Sequence, residues 1–155
     1  MHNGIKFHFE KPEDSSGFLL WQLSMLWQRR IREALSELKL THTQFVLLAA
    51  LGWLRQKSEA VTQKEVAEHA RVDKMMVSKV LRSLESHGLI VREEHPVDTR
   101  AKVISLTPKG QQALQQALLL AEATDRHFFA PLQKELSDFN HLALQILKEE
   151  ANPNS

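Results

Sequence analysis

Helix-start signals crowd the middle of this chain and leave room there only for short elements. Thr41-His42-Thr43-Gln44 has the form of a capping box, in which the threonine hydroxyl serves the backbone three residues on and the glutamine reaches back. Thr62-Gln63-Lys64-Glu65 repeats it, Asp73 caps a third start, and Gly88 stands where a helix closes in the left-handed conformation. The spacing predicts a helix from Phe45 to about Arg55, apolar nearly all round and therefore interior. A short helix to Ala70 follows, with Val66, Ala67 and Ala70 on one face, then a tight turn at Arg71-Val72. The third helix, Lys74 to Ser86, buries Val77, Val80, Leu81 and Leu84. Two strand-like runs, Leu89 to Glu94 and Lys102 to Leu106, read as a hairpin with a polar tip at 95–100.

Long amphipathic segments flank this module. After capping side chains at Asp14-Ser15-Ser16, apolar residues from Leu19 to Leu38 recur at three- and four-residue steps. After the hairpin, Thr107-Pro108 opens a helix that runs through Phe128; Pro131 interrupts it, and a last helix carries Leu136, Phe139, Leu142, Ile146 and Leu147. The predicted fold is mainly α with a small β-hairpin wing. Residues 41–107 form a winged helix-turn-helix lobe, and 14–40 with 108–150 form a helical dimerisation region. Residues 1–13 are read as a flexible or partner-docked arm and 151–155 as a frayed tail. The flanking helices are too apolar for a monomer of this size. A second copy of the chain is expected to cover them, buried apolar area stabilising by roughly 25 cal/mol per Å².

Composition removes several classes. There is no cysteine, which excludes disulfides, thiolate metal sites and thiol nucleophiles. The longest nearly uncharged apolar run, Phe45 to Leu54, is far shorter than the roughly 20 residues of a membrane helix. No secretory leader is legible, so a reducing cytoplasm is the expected location. The closest glycines, Gly4 and Gly17, are too far apart for a phosphate-cradling loop, and no serine sits in a glycine-flanked elbow, so no enzyme is expected. Eight histidines include none three or four apart on a helix; only Glu65/His69 and Asp138/His141 pair a carboxylate with an imidazole at helical spacing. No metal and no cofactor are expected.

Net charge is +1, so a polyanion would have to meet a local basic patch. One lies between Arg71 and Arg82, where Arg71, Lys74, Lys79 and Arg82 outnumber the single acid Asp73. With the stripe of the third helix turned inward, Met75, Met76, Lys79, Arg82 and Ser83 face out, a surface suited to the major groove of DNA. The two methionines are either base readers or partly buried under the turn. Arg100 at the hairpin tip suits a narrow minor groove, with Asp98 holding Arg100 or a basic residue of the reading helix in place. Thr62, Gln63 and Lys64 at a helix start suit a phosphate. The expected DNA contacts are Thr62, Gln63, Lys64, Lys74, Met75, Met76, Ser78, Lys79, Arg82, Arg100 and Lys102.

These residues also carry a resemblance. The series Leu40-Thr41, Gln44-Phe45, then Val77-Ser78-Lys79, Leu81, Leu84-Glu85, Gly88-Leu89-Ile90 and Arg92, then Asp98, Arg100, Leu106-Thr107 and Gly110 resembles the MarR family of bacterial transcription regulators over about residues 14 to 150. The resemblance implies a homodimer joined through its first and last two helices. Each subunit would place its reading helix in the major groove and its wing arginine in the minor groove of a pseudo-palindrome, with half-sites roughly 34 Å apart. It also implies a repressor released by a small, often aromatic or phenolic, effector bound between the dimer helices and the DNA lobe. Trp21, Met25, Trp27, His42, Phe45 and Trp53 lie on the segments that would line such a crevice. Lacking cysteine, the chain cannot be the peroxide-sensing version. The rival readings are a ligand-binding or protein-interaction module without DNA contact, and a metal-responsive regulator using His42 or His69.

Overall fold

The computed structural model describes residues 4–151; the expected tail 152–155 and the start of the arm, residues 1–3, lie outside them. The elements run α1 (Ser16–Ser36), α2 (His42–Leu54), α3 (Gln63–Ala70), α4 (Lys74–Ser86), β1 (Ile90–Glu94), β2 (Lys102–Leu106), α5 (Pro108–Phe129) and α6 (Leu136–Ala151). A short 3₁₀ turn at Pro12–Asp14 precedes α1, and another at Ala130–Glu135 replaces the expected start of the last helix around Pro131. The chain divides into two compact units, one extending to Ala121 and one from Glu122 onward.

In the first unit, α2 is the pillar. Leu47, Leu48 and Leu51 are inaccessible to solvent, and Ile31 and Leu35 of α1, Val66 of α3, Val77, Leu81 and Leu84 of α4, Ile90, Ile104 and Leu114 join them in one core. The C-terminal half of α1 thus belongs to the same core as the helix-turn-helix. The all-round apolar α2 does not sit wholly inside, since Trp53 at its end is 55% exposed. Local capping produces the short helices as expected. Gln44 and Thr41 complete one box, Glu65 and Thr62 the other, and Asp73 accepts from the backbone of Met75 and Met76. Arg71 takes a left-handed φ of 52° at the turn between α3 and α4.

The hairpin pairs Ile90 with Leu106 through Glu94 with Lys102, antiparallel. It has a partner the sequence reading missed. The Val61 carbonyl accepts from Ile104 N at 2.8 Å, and Thr62 bridges Val103, so the chain entering α3 acts as a vestigial third strand. That contact ties the start of α3 to the wing.

A further tie joins wing and reading helix. Arg92 Nε and Nη2 on β1 both donate to Glu85 Oε2 of α4, at 3.0 and 2.7 Å. These bonds hold the Glu85 carboxyl below its ordinary value. Because the folded-state value lies below the unfolded one, the contribution is present above the ordinary carboxylate range and lost as pH falls through the lowered value. Glu85→Gln should therefore cost about 1 kcal/mol at pH 7, with Glu85 partly exposed to screening. The gap from wild type should close on acidification towards pH 3, as read by urea unfolding across pH.

In the second unit, Phe128 meets Phe129 edge to face with ring centroids 5.0 Å apart, and Phe129 meets Phe139 at a tilt, 5.5 Å apart. α6 buries no residue, and Leu142, Leu144, Ile146 and Leu147 are all exposed. In the first unit, α1 exposes Phe18, Leu19, Leu20, Trp21, Leu23 and Leu26. Among the described residues no helix is long and apolar enough to cross a membrane.

Candidate nucleic-acid interface

A concavity of about 460 Å³ lies between the start of α3, the start of α4 and the wing. It gathers Thr62, Gln63, Lys64, Lys74, Arg100 and Lys102, six of the expected DNA contacts, together with Asp98. Its formation follows from the local bonds above: the Thr62 bridge to Val103 sets α3 beside β2, and the tight turn at Arg71 brings α4 back alongside. Four cations face one hollow with one acid. Two of these cations are held loosely by carboxylates. Lys64 Nζ is 3.8 Å from Glu68 and Lys102 Nζ is 3.9 Å from Glu94, both pairs well exposed. Exposed pairs of this kind contribute little, so a phosphate can displace them. Glu65 is occupied at its own cap: Oε2 accepts from the backbone N and the hydroxyl of Thr62, bonds that lower its pKa and keep it ionised.

The remaining expected contacts lie along α4, outside this hollow. Met75 is 83% exposed, which removes the alternative of partial burial for it, while Met76 is about half covered at 51%. Lys79 is exposed, Ser78 is half-buried, and the exposed Arg82 turns its Nε to the Ser78 carbonyl at 3.3 Å. The opposite, inward stripe holds except for Val80, which is only partly covered.

The wing tip is held through its own backbone. Asp98 Oδ1 accepts from the backbone N of Arg100 at 3.1 Å, so its described contact is with the backbone of the turn rather than with the guanidinium. His95, which the sequence reading passed over, supplies the other anchor. Its Nδ1 accepts from Val97 N and Asp98 N, and its own N donates to the Ala101 carbonyl, all at 3.1 Å. The histidine just before Pro96 in a polar tip was the available signal.

A second, larger cavity of about 720 Å³ lies between α2, the end of α3 and the first turns of α5. Of the six residues expected in an effector crevice, Phe45 and Trp53 line it. Trp27 and His42 instead meet edge to face at 5.2 Å, and Trp21 and Met25 are exposed on α1. The polar part of the lining consists of His69, which the sequence singled out only as a metal-ligand candidate, and Gln56, Gln111 and Gln115, which went unread although Gln111 and Gln115 share a helix face. Among the described residues no three His, Asp or Glu side chains gather where a metal could sit. Glu65 is engaged by Thr62, and His141 faces Gln145.

Comparison with known proteins accords with this geometry. An ArnR1-like winged-helix domain matches residues 36–122, more than half of the chain. An HTH-type transcriptional regulator of Bacillus subtilis, YdcH, is 42% identical over 92% of this chain and 96% of its own length. An HTH-type transcriptional repressor of Mycobacterium bovis, Mb2911, is 30% identical over 75% of this chain and 81% of its own. Among solved structures, a MarR mutant from E. coli complexed with operator DNA superposes with a TM-score of 0.77, at 24% identity over 84% of this chain and 92% of that one. Bordetella bronchiseptica BpsR, whose DNA binding is regulated by 6-hydroxynicotinic acid, gives 0.79 at 24% identity over 92% and 97%. The chain is thus a winged-helix HTH-type transcriptional regulator. It belongs to the ArnR1-like winged-helix family, and it shares the fold of the E. coli MarR structure, which accords with the resemblance of its Leu40 to Gly110 motif series.

Proposed function

We propose that this regulator is a homodimeric repressor that binds a pseudo-palindromic operator, acts in the bacterial cytoplasm on the nucleoid, and is released by a small effector. One observation carries the DNA part of the reading: the hollow that collects Lys64, Lys74, Arg100 and Lys102 beside the backbone start of α3. Phosphates fit there, while the exposed Met75, Met76, Lys79 and Arg82 of α4 reach base edges in the adjoining major groove. The exposed apolar faces of α1 and of α6 support a second copy as the partner, with residues 14–40 and 108–150 as the dimerisation region. The cavity against Phe45 and Trp53 is the proposed effector site.

The test is selection of bound duplexes from random DNA by the purified protein, followed by affinity measurements across salt. The selected site should show two related half-sites about one helical turn apart. Lys64→Ala should flatten the slope of log affinity against log salt by about 0.9, the release expected for one phosphate contact, with base preference unchanged. An unchanged slope would take Lys64 out of the interface.

A further inference from the structure

Resting on the effector-site reading, we infer that the cavity beside Phe45 and Trp53 takes an uncharged planar compound with amide or hydroxyl groups, and discriminates against aromatic carboxylates. The lining contains no lysine, no arginine and no acid, and His69 is its one titratable side chain. Two cations near the lining in sequence are engaged elsewhere. Arg55 donates to the Glu59 carbonyl and to Ser105 Oγ, and Lys109 Nζ donates to the His87 carbonyl at 2.9 Å. The cavity's own hydrogen-bonding groups are mainly the side-chain amides of Gln56, Gln111 and Gln115. Each amide both donates and accepts, which matches a ligand amide, lactam or hydroxyl edge. Phe45, Trp53, Leu114 and Leu118 supply apolar surface for a ring.

An ionised carboxylate entering this site would shed water against apolar walls with no guanidinium or ammonium to meet it, and an unpaired charge in such surroundings is costly. A neutral amide of the same shape makes the same ring contacts without that penalty. The discrimination therefore follows from charge rather than size.

Matched pairs test this on the full chain: benzamide against benzoate and nicotinamide against nicotinate, titrated by calorimetry at pH 8. The amides should bind at least about tenfold tighter than the acids, the equivalent of about 1.4 kcal/mol. Gln115→Arg, at an exposed position, places a guanidinium in the lining and should shift the preference towards the acids by about tenfold. Ala49→Phe, which fills the cavity, should abolish amide binding. Acids binding as well as the amides to the wild type would overturn the charge assignment while leaving the cavity as an effector site. No heat from any of the four up to about 10 mM, or amide binding that survives Ala49→Phe, would remove the cavity itself and this inference with it.

Discussion

Gly110→Ala is expected to destabilise the first unit by roughly 3 kcal/mol, the reverse of what the same change does in an ordinary helix. In an exposed helix interior, glycine to alanine gains about 0.5–1 kcal/mol. Here α5 begins against the start of the wing. The Leu89 carbonyl accepts from Thr107 N at 3.1 Å, and Thr107 Oγ1 both donates to the Gly88 carbonyl and accepts from Gly110 N. A Cβ on Gly110 would stand 1.8 Å from that Leu89 oxygen and 2.8 Å from its carbon. Both are backbone atoms and cannot swing aside as a side-chain end would. At Gly52, by contrast, a Cβ meets a movable Leu114 methyl at 2.6 Å, so Gly52→Ala should cost markedly less. Urea unfolding of the two variants checks this, and a stable Gly110→Ala would mean that α5 does not dock on the Gly88–Leu89 carbonyls.

What was legible in the sequence was what is local. Capping boxes, the Asp73 cap, Gly88 and Thr107-Pro108 act within four residues of themselves, so they announced the helix boundaries of the lobe closely; β2 fell at Lys102–Leu106 as expected. The patch residues were found for the same reason, since helix phase alone turns Met75 and Met76 outward. What escaped was contact between segments distant in sequence. Nothing near Val61 announces that its carbonyl will meet Ile104, nothing near Glu85 that Arg92 will clamp it, and nothing in an aromatic stripe says that Trp27 will meet His42 while Trp53 lines a cavity. For Asp98 the sequence left open how Arg100 would be held. A carboxylate two residues before an arginine can meet its guanidinium or cap its backbone N–H, and the described contact in this tight turn is with the backbone.

That distinction separates two outcomes at the wing. Arg100→Ala should weaken binding to A·T-flanked operators by about 10- to 100-fold, matching the 1–3 kcal/mol of a good groove contact, with a smaller loss on G·C-flanked sites, whose minor groove attracts a guanidinium less. If Asp98 acts by shaping the turn that presents Arg100, Asp98→Asn keeps an oxygen acceptor for Arg100 N and should bind nearly as wild type, whereas Asp98→Ala should approach the Arg100→Ala loss. If Asp98 acted through charge, Asn and Ala would fail alike. Arg82→Ala provides the contrast from the reading helix. It leaves the wing intact, so it should alter which bases are preferred in the half-site and leave the dependence on flanking composition in place. Measuring the four variants against two operators that differ only in their flanks resolves these contributions. An Arg100→Ala protein of undiminished affinity on both would show that the wing tip, though built around His95 and Asp98, does not touch the DNA.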